Sequence, residues 1–109
     1  MKPSDASSAM SGGQFDRIAK ALADPRRVAV LEAIAREASC PCQELREQFP
    51  ISKATMSHHI KELVRAGLID AQREGQFLHC QVRPQVMEAY TAELLRRVGA
   101  ASRVAEQSS

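Results

Sequence analysis

The segment "CQELREQFPISKATMSHHIKELVRAGL", Cys42 to Leu68, constrains the fold more than any other part of the chain. Leu45 and Phe49 mark the inward side of a short helix that must stop before Pro50, because a residue ahead of proline is pushed out of the helical region. Ser52 is a good N-cap for a second helix. In that helix Met56, Ile60, Leu63 and Val64 recur at i, i+4, i+7 and i+8, which marks its buried stripe. Gly67 stands where a left-handed stop is wanted. Two short helices joined by so tight a connection have the spacing of a helix-turn-helix.

The outward face of the second helix raises a chemical question. At about 100° per residue, His58 points away from the stripe together with Ala54, Thr55, Lys61 and Arg65, while Ser57 and His59 lie on opposite flanks. Adjacent histidines on a helix diverge, so they make a poor chelate, and the H-E-x-x-H arrangement is absent. Ser57 beside a histidine supplies the letters of a nucleophile and a base. Neighbours on an open helix face lack both enclosure and an orienting acid, so no enzyme is expected. What remains is a face of small hydrogen-bonding side chains that lets something polar come close.

The flanking sequence completes one domain, expected over residues 14–98. Phe15, Ile18, Ala19 and Leu22 outline a first amphipathic helix. Asp24-Pro25 is a cap followed by a favoured first residue, and Val28, Leu31, Ile34 and Ala35 give the second helix a buried face. The third helix is expected to begin at "CPC", with Pro41 in its first turn. After Gly67 the period changes to two, and "LIDAQREGQFLHCQV" reads as a hairpin turning at Glu74-Gly75. Val86, Met87, Tyr90, Leu94 and Val98 return to helical spacing. The expected fold is mainly α with a small β-hairpin, a winged helix-turn-helix of order α-α-α-α-β-β-α. Its wing carries Arg73 and Gln76 near the tip. The polar ends, residues 1–13 and 99–109, read as flexible tails.

Charge enters only locally. The net charge of +2 over 109 residues is too weak to indicate nucleic-acid binding by itself. Between Ile51 and Arg83, however, five basic residues (Lys53, Lys61, Arg65, Arg73, Arg83) face three acidic ones (Glu62, Asp70, Glu74). No apolar run suits a membrane span or a signal core, and three cysteines, an odd number, fit a reducing compartment better than a disulfide scaffold. The expected setting is cytoplasmic, without a membrane partner.

"ALADPRRVAVLEAI", "ISKATMSHHIKELVRAGLI" and "REGQFLHCQV", in that order, resemble consecutive signature segments of the ArsR/SmtB family of bacterial winged-helix repressors. The resemblance covers roughly residues 14–98. It implies a homodimer held by the first and last helices, through Phe15, Ile18, Leu22, Met87, Tyr90 and Leu94. It also implies a palindromic operator in double-stranded DNA, released when an effector binds. On the second helix of the helix-turn-helix, the N-terminus at Ser52 offers free N–H groups to phosphate and Lys53 adds charge. Thr55, Ser57 and His58 are placed for base edges or phosphate, and the Ala54 methyl for a thymine methyl. His59 and Lys61 are expected at the DNA backbone. A winged-helix protein-interaction adaptor is the competing reading, and salt separates the two, since only phosphate contacts release counterions.

Cys40-x-Cys42 suggests what the effector would be. Thiols at a helix start have their thiolates favoured, and soft thiolates suit As(III), Sb(III), Cd(II) or Pb(II). Arsenic- and cadmium-sensing members of the family resemble the chain here but complete the site with another thiol. One turn on, this chain has Leu45, so a third ligand must come from Cys80 or a second copy. Cys80, alternating with Leu78 and Val82, otherwise reads as a small buried hydrophobe. A thiol-redox sensor or a repressor without an effector is the alternative, and for the first of these direct bridging of Cys40 to Cys42 is geometrically poor on a regular helix. The family's other metal site, on the last helix, needs histidine, and "RPQVMEAYTAELLRRV" has none.

Overall fold

A computed structural model describes residues 10–99. In chain order these form α1 (Gly12–Leu22), α2 (Pro25–Ala35), β1 (Cys40–Pro41), α3 (Cys42–Gln48) and α4 (Lys53–Arg65). Next come β2 (Ile69–Glu74), β3 (Phe77–Val82) and α5 (Pro84–Arg97). Residues 1–9 and 100–109, which hold most of the expected tails, lie outside the described residues. Helix α1 starts slightly ahead of the expected domain boundary, because the Ser11 side chain accepts the Gln14 N–H at 3.1 Å and so caps a helix that includes Gly12 and Gly13.

The caps read from sequence form as hydrogen bonds. Asp24 accepts the Arg26 N–H at 2.9 Å ahead of Pro25, and Ser52 accepts the Thr55 N–H at 3.1 Å ahead of α4. At the other end of α4 the Leu68 N–H reaches the Leu63 carbonyl at 3.0 Å and Gly67 N–H the Val64 carbonyl at 2.9 Å, a Schellman closure. Gly67 adopts φ +82°, and a Cβ there would come within 2.8 Å of Gln14 Nε2, which itself donates to the Ala66 carbonyl at 3.3 Å. Helix α1 thus docks on the C-terminus of α4.

Several expectations are corrected by the fold. Cys40 does not open the third helix: Cys40 and Pro41 form the edge strand of a three-stranded antiparallel sheet ordered β1-β3-β2. The order is therefore α-α-β-α-α-β-β-α, and helix begins only at Cys42. A two-residue strand has no period of its own, and Pro41, lacking an N–H, suits an edge. The second correction concerns the stripe of α4, which is Met56, His59, Ile60 and Leu63; Val64 remains 40% exposed. Spacing i, i+3, i+4, i+7 has replaced the one read from apolar residues alone, because His59 takes an inward place.

One core joins all elements. Ile18, Ile34, Leu45, Met56, Leu63, Leu68, Ile69, Val30, Cys40 and Cys80 are its largest fully enclosed side chains. Within the first two helices Ala21, Val30 and Ala33 are buried where Ala19 and Ala35, expected inward, are exposed. The hairpin registers Glu74 with Phe77, leaving Gly75-Gln76 as a two-residue turn, with φ +65° at Gly75. A positive φ at that first position is what a type II′ turn requires, and glycine adopts it without strain. Among the described residues no helix is long and apolar enough to cross a membrane.

Candidate nucleic-acid interface and thiol cluster

The outward face of α4 is open. Ser52, Lys53, Ala54, Thr55, Ser57, His58 and Lys61 are all exposed, and so are Arg73 and Gln76 on the wing. Ser52 Oγ, besides capping, donates to Thr55 Oγ1 at 3.0 Å, which holds both hydroxyls at the start of the helix. Lys53, Ser57, Lys61, Arg73 and Gln76 share the rim of one cleft between α3, α4 and the wing, about 590 Å³ in volume. Met56, Ile60, Val64 and Phe77 line it as well, and Arg46 from α3 adds a cation that the sequence reading did not single out. Arg46 joins the cleft only through the tertiary arrangement of α3 beside α4 and the wing, so no local pattern marks it.

His59 departs from its expected place at a DNA backbone. It is only 4% exposed, and Arg27 Nε donates to its Nδ1 at 3.4 Å. With Nδ1 accepting, the neutral ring carries its proton on Nε2, and that atom is buried without a partner among the described residues. Burial, then the Arg27 charge, push the imidazole pKa down. Arg27 also donates from Nη1 to the Ala21 carbonyl at 3.2 Å, so one guanidinium links the end of α1 to α4. His59 is thus a core residue that orients α4.

The thiols are paired otherwise than the spacing of Cys40 and Cys42 suggested. Cys42 Sγ lies 3.0 Å from Cys80 Sγ, whereas Cys40, which faces Cys80 in the sheet register, turns its Sγ toward the Pro41 carbonyl at 3.7 Å. Cys40 and Cys80 are fully buried; Cys42 is half-buried and lines the cleft. Burial, then Glu37 and Glu44, push the Cys40 thiol up to about 11, the reverse of an activated helix-start thiol. The hydrogen bond from Cys80 holds the Cys42 pKa below the ordinary thiol value, while giving that bond and burial raise the pKa of Cys80. Among the described residues no three potential ligands converge on one metal position. Within one chain, therefore, the three thiols do not form a three-ligand site among the described residues.

The residues expected at a dimer surface divide. Ile18 is fully enclosed in its own core and is removed from that set; Phe15 is also largely buried, with its ring 5.0 Å from that of Tyr90 and under the Arg97 guanidinium at 3.7 Å. Leu22, Met87 and Tyr90 are half-buried, and Leu94 is 41% exposed, beside the exposed Leu95 and Val98. Arg97 is held by Glu93, which accepts from Arg97 Nε at 2.8 Å and from Arg96 Nη2 at 2.6 Å. These two arginines hold the Glu93 carboxyl down at about 2.

Comparison with known proteins decides the family. A pattern described as a helix-turn-helix domain matches residues 22–72. The transcriptional repressor SdpR of Bacillus subtilis is 30% identical over 74 residues, 68% of this chain and 81% of SdpR. The crystal structure of an ArsR family transcriptional regulator superposes with a TM-score of 0.73 at 28% identity, covering 84% of this chain and 93% of that one. This chain belongs to the ArsR family. The arsenical resistance operon repressor of Staphylococcus xylosus is 36% identical over 66 residues, 61% of this ArsR-family chain and 62% of that repressor's length. At 24% identity the homodimeric winged helix-turn-helix domain Mb0332 of Mycobacterium bovis shares the fold, with a TM-score of 0.62.

Proposed function

We propose that this ArsR-family chain is a sequence-specific DNA-binding transcriptional repressor that acts as a homodimer on a palindromic operator. The observation that carries the reading is the rim of the cleft. Lys53, Ser57 and Lys61 on α4 and Arg73 and Gln76 on the wing are exposed on one side of the molecule, with His58 beside them. An exposed helix N-terminus with small polar side chains enters a major groove, and a wing that offers Arg73 near its tip reaches the adjacent phosphates. Relatives named as transcriptional and arsenical-operon repressors support the same role.

The dimer reading rests on α5, where Leu94, Leu95 and Val98 leave apolar surface exposed next to half-buried Met87 and Tyr90. A second copy covering that strip would place two α4 helices for two half-sites. Release from DNA is assigned to a thiol-directed effector, for which Cys42 is the accessible point of entry and Cys40 is not. The relatives' names, which refer to arsenical resistance, keep As(III) among effectors to be tried, and Sb(III) joins it on the softness of the thiolates, with a two-thiol site within one chain.

The testing experiment is a titration of labelled upstream DNA with reduced protein, beside a scrambled duplex of equal length. The reading expects one dimer per operator and binding about a thousandfold or more tighter than to the scrambled duplex, the lower end of the usual range for specific recognition. Equal affinities for the two duplexes would contradict it.

A further inference from the structure

Two sulfurs 3.0 Å apart, Cys42 Sγ and Cys80 Sγ, belong to different parts of the reading apparatus. Cys42 is the first residue of α3, the leading helix of the helix-turn-helix, and Cys80 sits in β3, the central strand of the sheet that bears the wing. The two thiols are not equivalent in access. Cys42 lines the open cleft, while Cys80 is fully buried behind it. Cys40, the third thiol, is also fully buried and is directed to a carbonyl. A small solute entering the cleft therefore meets one cysteine, and directly behind that cysteine a second is waiting within reach.

We infer that Cys42 and Cys80 are a peroxide-oxidised pair, Cys42 being the sulfur attacked and Cys80 the resolving thiol, and that the disulfide between them lowers affinity for DNA. In the first step Cys42 sulfur attacks a peroxide oxygen. The O–O bond breaks, an S–O bond forms, the sulfur is oxidised by two electrons, and the peroxide is reduced and leaves as water or an alcohol. In the second step Cys80 sulfur attacks Cys42 Sγ. The S–S bond forms, the S–O bond breaks, and hydroxide departs as water with the proton of the Cys80 thiol. Two thiols and one peroxide thus give one disulfide and two molecules of water, or one of water and one of alcohol.

Bond formation shortens the sulfur separation from 3.0 Å to about 2.05 Å. That is small enough for the fold to persist, yet it pulls Cys42, which lines the cleft between α4 and the wing, against β3 behind it. Lys53, Ser57 and Lys61 lie on one side of this cleft and Arg73 and Gln76 on the other. A change in its width alters the spacing between helix contacts and wing contacts, and a groove offers only one spacing. The effect on DNA rests on the repressor reading, whereas the cross-link does not.

The test treats the full reduced chain with hydrogen peroxide, maps its disulfides by non-reducing peptide mass spectrometry, and measures anisotropy on upstream DNA before and after. The expected result is a Cys42–Cys80 link within one chain, in wild type and in Cys40→Ser, absent from Cys42→Ser and from Cys80→Ala. Wild type should lose about tenfold or more in DNA affinity and regain it with dithiothreitol, while Cys42→Ser and Cys80→Ala keep their affinity under peroxide. Should Cys80→Ala fail to fold, Cys42→Ser alone gives the same comparison. A link involving Cys40, a link between chains, or irreversible oxidation of Cys42 without a link would overturn the pair. A Cys42–Cys80 link with unchanged affinity would overturn the switch. Reduced protein that binds no DNA would count against the repressor reading, and the mapping would still decide the cross-link.

Discussion

Lys53, Ser57 and His58 stand within two turns of one another on α4, yet DNA offers them different things. A lysine meets phosphate, which is the same at every base pair, so Lys53→Ala should weaken operator and random duplexes alike and reduce the salt slope by about one. A hydroxyl or imidazole at a base edge discriminates, so Ser57→Ala or His58→Ala should lose about 1–3 kcal/mol on the operator and much less on random DNA. Anisotropy on both duplexes separates the cases, and uniform losses for all three variants would remove the base-reading role. His59, one residue further, makes a prediction about pH instead. Burial holds its pKa below the ordinary 6.5, so the unfolded chain takes up the proton first. Its contribution is complete above about pH 6.5, falls as pH drops below that value, and levels off once the folded state is protonated too. Thermal melts from pH 7.5 to 5 should therefore show wild type losing more stability than His59→Leu, and parallel curves would contradict the assignment. The neighbour of an exposed residue can be a buried one because about 100° separates them on a helix. Sequence alone shows two adjacent histidines but not that Arg27, far upstream, supplies a partner for one of them.

At the scale of elements, what is legible is what is written locally. The caps at Asp24 and Ser52, the stop at Gly67, the alternating hairpin and the helical return after Pro84 are all short-range patterns, and each element forms where its pattern lies. Strand β1 is not legible, since Cys40 and Pro41 become a strand only through Cys80 and His79, some forty residues on. The same long-range pairing brings Cys42 against Cys80, a closeness that the spacing of Cys40 and Cys42 cannot show. The stripe of α4 is misread by one position for a simpler reason: a periodicity counted on apolar residues cannot include a buried histidine. Gly67 supplies the test at this scale. Gly67→Ala puts a Cβ at φ +82° and against Gln14 Nε2, so it should cost at least about 1–2 kcal/mol by denaturant unfolding. A neutral outcome would mean that the joint between α1 and α4 tolerates a shift.

At the scale of the whole molecule, the described residues present two exposed surfaces, the polar face of α4 with the wing and the apolar strip of α5. In the proposed reading they are coupled, because only a dimer sets two α4 helices at a half-site spacing. Leu94→Glu combined with Leu95→Glu should give a monomer by sedimentation and reduce operator affinity more than tenfold, with the chain still folded by circular dichroism. A folded dimer of that variant would move the interface elsewhere. The sequence implies this arrangement through resemblance, but it cannot tell which apolar residues the chain consumes itself: Ile18 is taken up in the core and Leu94 is not. The most direct measurement of the central claim is fluorescence anisotropy of the reduced chain on its own upstream DNA and on a scrambled duplex, across a series of salt concentrations. A DNA-reading repressor binds the upstream DNA more tightly at every salt, with affinity falling steeply as salt rises on both duplexes. Binding that ignores salt, or that is equal on the two duplexes, would contradict it.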